Sequence, residues 1–195
     1  MTTTRRQALR AAALGGAGVG GGALLGGWVA PQSSLGKPSR AQDVRIMRFL
    51  LGLELAQAAF YNAALRSGKL GGDLLTYARI VAPQERDHVA LLQERLGSEA
   101  GAAPAFDFSE ATSSPERFRE AAIDLEEATA AAYIGQGASL TTDAVRDAAG
   151  IVAVEARHAA WIRDLAGITP APRPADPARQ PDDVMSDLRA KGFLQ

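Results

Sequence analysis

The chain holds two histidines, and both lie in one four-residue pattern: Glu85-Arg86-Asp87-His88 and Glu155-Ala156-Arg157-His158. Residues three apart share a face of an α-helix, so each pattern aims a carboxylate and an imidazole at one place. Carboxylate oxygen with imidazole nitrogen suits iron, manganese or zinc better than Cu(I). Two further glutamates stand in matching settings. Glu54 lies in Leu53-Glu54-Leu55-Ala56-Gln57-Ala58-Ala59-Phe60-Tyr61, and Glu126 in Leu125-Glu126-Glu127-Ala128-Thr129-Ala130-Ala131-Ala132-Tyr133. Two Glu-x-x-His pairs and one Glu from each of two other helices make a full ligand set for two metal ions inside a four-helix bundle.

Charge supports that reading. Four carboxylates in an apolar bundle would each cost on the order of several kcal/mol in lost hydration. No Lys or Arg stands on the same stripes to pair them. Two divalent ions offset four glutamates while the histidines bind neutral, so charge and ligand count close together. The competing account is that these are solvated helix charges. Glu is about one residue in twenty here, so a Glu three places before both histidines is a coincidence on the order of 1 in 400. The repeated Glu-x6-Tyr spacing lowers the odds further. Arg86, Asp87 and Arg157 fall off the stripe and read as solvated face. Glu127 reads as exposed, because only Glu126 matches Glu54 in phase.

Tyr61 and Tyr133 follow Glu54 and Glu126 by two turns on the same face. Two readings stay open for them: hydroxyls that hold the ligand carboxylates, or core rings with their hydroxyls satisfied elsewhere. Gln57, one turn from Glu54, is a further candidate for holding a ligand. Trp161 reads as packing.

The elements that must position these side chains are helices. Alanine and leucine dominate and aromatics make up 6%, a composition that favours helix. The first helix is expected from about Gln42 to Leu65, with Met47, Leu50, Leu51, Ala58, Tyr61 and Leu65 around Glu54. A turn at 67–72 follows, with Asp73 as N-cap of a second helix that ends at Leu96 and Gly97. Ala78, Val81, Ala82, Val89, Leu92 and Leu96 line its apolar side. Pro83 removes the bond to the Arg79 carbonyl and predicts a kink. Residues 97–114 are too long for a tight hairpin and suit a crossover along a bundle. Ser113-Ser114-Pro115-Glu116 reads as a capping box. The third helix is expected to reach about Ile134, with a turn from Gly135 to Thr141. The fourth is expected over Thr142 to Ala166, closed by Gly167. Shifting the second helix by 70 lays Glu85 on Glu155, His88 on His158, Leu92 on Ile162 and Gly97 on Gly167. The fold class is therefore all-α, two copies of one helical hairpin joined by a long crossover between helices 2 and 3.

The ends differ from the body. Thr4-Arg5-Arg6-Gln7-Ala8-Leu9-Arg10 precedes an uncharged Ala/Gly/Leu run to about Ser34, with Ser39-Arg40-Ala41 as a small-x-small exit. Residues 1–41 therefore read as an export signal. Arg5-Arg6 after Thr4 resembles the twin-arginine type, with Ala8 where that type often carries a large apolar residue. Location in the periplasm or cell envelope follows. The alternative is an uncleaved membrane anchor: the run is long enough to span, but its many glycines make a poor membrane helix. Removal of residues 1–41 leaves 16 basic against 22 acidic residues, a net charge of −6. An acidic body argues against nucleic acid as a partner. Residues 168–195 form a Pro-rich tail, with one short helix expected over Asp182 to Ala190. The absence of cysteine excludes disulfides, zinc fingers, iron–sulfur clusters and thiol nucleophiles.

Over about residues 42–167 the chain resembles the ferritin-like superfamily, and most of all its exported bacterial members with a twin-arginine signal. The resemblance rests on Leu53-Glu54 with Tyr61, Glu85-x-x-His88, Leu125-Glu126 with Tyr133, and Glu155-x-x-His158, in that order around the crossover. It implies that Glu85 and Glu155 bridge two metals, that His88 and His158 bind one each, and that Glu54 and Glu126 are terminal. It implies iron or manganese, with zinc the weaker candidate, and redox chemistry with O₂ or peroxide of the ferroxidase or peroxide-removing kind. No rubredoxin cysteines are present. Met47 and Met185, the only methionines after the signal, offer no obvious haem ligand. Homo-oligomers are compatible with the resemblance, and membrane contact is expected only through the N-terminal segment. The alternative function is a non-catalytic envelope binding or stress-protection bundle with a structural metal or none.

Overall fold

The computed structural model describes residues 37–193. Most of the expected export segment, residues 1–36, lies outside them. The described residues form five α-helices: α1 (Arg40–Ser67), α2 (Gly72–Leu96), α3 (Pro115–Gly137), α4 (Thr142–Leu165) and α5 (Pro181–Ala190). There is no strand among the described residues. Helix α1 pairs with α2 and α3 with α4, while α1 against α3 and α2 against α4 join the two hairpins. This is the expected all-α bundle with its crossover between the second and third helices.

Local chemistry sets the ends of these helices. Ser39 caps α1 by accepting from the Gln42 amide, so the helix starts two residues before the expected Gln42. Gly68 at φ +64° stops α1 in the left-handed region that glycine adopts without strain. Gly71, not Asp73, sits at the α2 N-cap, and Asp73 is in the first turn, where an acid favours the helix dipole. Ser114 caps α3 one residue later than a capping box from Ser113 requires, so Glu116 is out of step for the reciprocal bond. Helix α2 runs through Pro83 without a break in its span.

Helix α3 passes Ile134 and continues to Gly137, although Gly135 was expected to open the turn. The reason is tertiary. The tail crosses α3 here, and the Arg179 amide donates to the Ala131 carbonyl at 3.0 Å. A Cβ on residue 135 would lie 2.0 Å from the Arg179 carbonyl oxygen. Gly135 is therefore a crossing point rather than a stop. Beyond it, α5 buries Pro181, Val184, Met185 and Leu188 and packs on α3. Phe193 then reaches the crossover ring Phe108, with centroids 5.6 Å apart.

The core is continuous. Phe60 stacks on Phe118 at 5.2 Å and meets Phe108 edge-on at 5.4 Å. Helix α1 is buried well beyond the expected stripe: Phe49, Leu53, Ala56, Phe60 and Ala64 are enclosed as well. Ala58 and Leu65 of that stripe, and Val89 of α2, are only partly buried. At one end of the bundle the buried Asp43 carboxylate accepts from the Thr141 amide at 2.9 Å and its hydroxyl at 2.6 Å. That pair ties the start of α1 to the N-cap of α4. No helix among the described residues is long and apolar enough to cross a membrane.

Candidate metal centre

Four helices each deliver acid to one place. Glu54 from α1, Glu85 and His88 from α2, Glu126 from α3, and Glu155 and His158 from α4 are all buried, none more than 8% exposed. The structure brings all six together. Their donor atoms form two overlapping groups, Glu54–Glu85–His88–Glu155 and Glu85–Glu126–Glu155–His158, with the atoms of each group within 4.8 Å of one another. Glu85 and Glu155 belong to both groups. That sharing follows from the repeat: equivalent positions on α2 and α4 face each other across the pseudo-twofold.

The ring contacts point inward. His88 Nδ1 lies 3.0 Å from Glu155, 3.2 Å from Glu54 and 3.5 Å from Glu85. His158 Nδ1 lies 3.0 Å from Glu85 and 3.5 Å from Glu126. Only the His88–Glu54 contact has hydrogen-bond geometry. Both oxygens of Glu85, Oε1 of Glu155 and Nδ1 of His158 are buried with no hydrogen-bond partner. Close approach without alignment means that these lone pairs face a common space rather than one another. Buried polar atoms are seldom left so, and a metal ion satisfies oxygen and nitrogen lone pairs of this kind at once. The residues present fit two metal ions.

Without metal, protons must do that work. Burial raises Glu54, Glu85 and Glu126 above the ordinary 4.5, and the neighbouring Glu155 carboxylate adds to each. Burial opposes the His88 proton, but Glu155, Glu54 and Glu85 around the ring outweigh it and push its pKa up to about 12. Burial likewise lifts Tyr61, Tyr77 and Tyr133 well above 10.0, so all three hydroxyls keep their protons as donors.

Those donors settle what the sequence left open. Tyr133 donates to Glu54 Oε1 at 2.7 Å, and Tyr61 donates to Glu126 Oε1. Each tyrosine thus crosses to the glutamate of the other hairpin, not to the glutamate two turns back on its own helix. Gln57 Nε2 donates to Glu126 Oε2 and Glu155 Oε2, both at 3.0 Å. Glu127 turns outward to pair with Arg163. Arg86, Asp87 and Arg157 are exposed.

Two residues escaped sequence reasoning. Tyr77 lies 3.0 Å from the Tyr61 hydroxyl, and its one proton has both Glu126 and the His158 carbonyl within reach, at 3.4 and 3.3 Å. Trp161 meets its ring edge-on at 5.0 Å. Gln84 Oε1 lies 2.6 Å from His158 Nε2. The repeat hid both, because their counterparts on α4 are Asp147 and Val154. Only the heptad-like distance of Tyr77 and Gln84 from one another marked a shared face.

A search among curated proteins gives no match to this chain. The profile of the ferritin-like domain matches residues 42–167, the stretch that folds into α1 to α4 around the buried Glu and His cluster. With nearly the whole of α1 to α4 and both Glu-x-x-His pairs inside that stretch, the chain belongs to the ferritin-like domain family.

Proposed function

We propose that the protein holds two iron or manganese ions between Glu54, Glu85, His88, Glu126, Glu155 and His158, and that it works on O₂ or peroxide outside the cytoplasm. The observation that carries this reading is the pair of donor groups overlapping at Glu85 and Glu155, with lone pairs of both glutamates unpartnered. Glu54 and His88 would hold one ion and Glu126 and His158 the other, with Glu85 and Glu155 common to both donor groups. When bound, two adjacent redox-active ions supply electrons to O₂ or peroxide. The chain's own residues then have three tasks. Tyr133 and Tyr61 fix the orientation of Glu54 and Glu126. Gln57 binds α3 and α4 carboxylates together from α1. The surrounding core, with Phe60, Phe118 and Leu53 sealed from solvent, keeps bulk water away.

Export is part of the proposal. It rests on Arg5-Arg6, the uncharged run after it and the small residues near Ala41. Twin-arginine export carries folded chains, which suits a metal loaded before crossing.

The test is metal analysis of protein purified from its native compartment, together with its optical spectrum before and after peroxide. Two iron or manganese ions per chain, with a spectral change, are expected. One zinc ion or none, with no change, overturns the redox reading in favour of a structural bundle.

A further inference from the structure

The repeat gives each half the same ligands, but the surroundings of the two histidines differ. His158 Nε2 lies 2.6 Å from Gln84 Oε1. A carbonyl oxygen only accepts, so the ring nitrogen donates. In a neutral imidazole that fixes the proton on Nε2 and leaves the Nδ1 lone pair toward Glu85 and Glu126. The equivalent position on α4 is Val154, which offers no acceptor to His88. His88 Nε2 makes no hydrogen bond among the described residues, and the His88 side chain is 10% exposed against 4% for His158. The carboxylates follow the same division. Glu126 accepts from Tyr61 and Gln57, with the Tyr77 hydroxyl also within reach. Glu54 accepts from Tyr133, and its other oxygen lies 3.2 Å from His88 Nδ1 itself. The counterpart of Gln57 on α3 is Thr129, which makes no hydrogen bond to a site carboxylate.

From this placement we infer that the two metal positions are unequal: Gln84 pre-orients His158 so that the Glu126–His158 position binds tightly, and the Glu54–His88 position binds weakly and exchanges. The inference rests on the di-metal reading above. Gln84 is a positioning residue, acting through the His158 ring. Partners of this kind typically contribute about 10–100-fold in metal affinity.

The experiment is calorimetric titration of the metal-free, full-length protein with Mn²⁺ alone, with melting curves to verify that each variant is folded. The wild type is expected to bind two ions in steps at least about tenfold apart. Gln84→Val should weaken the tight step about 10–100-fold and leave the weak step in place. Gln84→Glu, which keeps an acceptor, should retain the tight step. Val154→Gln supplies His88 with the missing acceptor and should tighten the weak step toward the other. Two equal steps in the wild type, or a Gln84→Val variant with both steps unchanged, overturn the inequality and leave the di-metal reading standing. Absence of any tight Mn²⁺ binding overturns the di-metal reading, and the inequality with it.

Discussion

At the scale of single residues, the proposed metal centre should depend on nitrogen. Each group of donors contains one histidine and three glutamates, so removing a histidine takes away the only nitrogen donor of that group. The double variant His88→Ala/His158→Ala should lose tight binding of two ions by more than the 10–100-fold typical of outer partners. His88→Ala alone should keep one tightly held ion at the Glu126–His158 position. Equilibrium dialysis with metal analysis reads both numbers. Two ions held by the double variant at wild-type affinity would mean that the six residues are not the ligands. The substitution itself should be tolerated by the fold, because the alanines leave the apolar stripes of α2 and α4 intact.

At the scale of elements, the tail is held by one close crossing. The Arg179 backbone lies so near α3 that a methyl at residue 135 would be 2.0 Å from its carbonyl oxygen. Alanine within an exposed helix is worth about 1 kcal/mol over glycine, so propensity alone predicts that Gly135→Ala stabilises. Overpacking costs about 1–3 kcal/mol, and here the obstacle is backbone, which cannot rotate away. The variant should therefore melt a few degrees lower, at roughly 2–4 °C per kcal/mol for a chain of this size. Limited proteolysis should cut between residues 168 and 180 sooner than in the wild type, because the tail must lift to admit the methyl. A higher melting temperature with unchanged cleavage would show that the tail yields freely.

The whole molecule should show the buried charge in its pH dependence. Glu54, Glu85 and Glu126 are raised above 4.5 by burial and by Glu155, and His88 is raised from 6.5 to about 12. A group with a raised folded pKa contributes stability that is complete below its unfolded pKa and is lost as pH rises toward the folded one. The carboxylates begin this loss above about 4.5 and His88 above about 6.5, so all four act in the same direction. Each proton that only the folded state retains costs about 1.4 kcal/mol per pH unit. Metal-free protein should thus lose stability steadily between about pH 5 and pH 8. Metal-loaded protein should not, because the ions replace those protons. Melting curves of both forms across the range decide it, and a melting temperature indifferent to iron or manganese at every pH would exclude a buried di-metal site. Export is tested separately, by mass spectrometry of the protein recovered outside the cytoplasm. A mature start near Gln42 is expected; intact Met1 in a soluble cytoplasmic protein would overturn export. Cleavage there also removes Ser39, the α1 cap, so the mature helix should fray in its first turn.

The six candidate ligands were legible in the chain because helix periodicity is local: a Glu three places before a His shares its face whatever the rest of the fold does. The internal repeat then gave the pairing of the two hairpins, and the apolar stripes gave four helices close to their observed ends. What the chain did not reveal depends on distances across the bundle. Tyr61 and Tyr133 share a face with their own glutamates, yet their long side chains donate across the core to the opposite hairpin. Tyr77 and Gln84 join the site without counterparts in the repeat, so the repeat could not mark them and only their spacing of seven along one helix hinted at a shared face. Gly135 looks like a helix stop by its residue type, but its lack of a Cβ serves the passing tail. Sequence alone determined which face of each helix carries acid and imidazole, since that is set by 3.6 residues per turn. Only the tertiary structure decided which donors meet across the core, because a hydrogen bond depends on ångström-scale approach between helices that no spacing along one chain encodes.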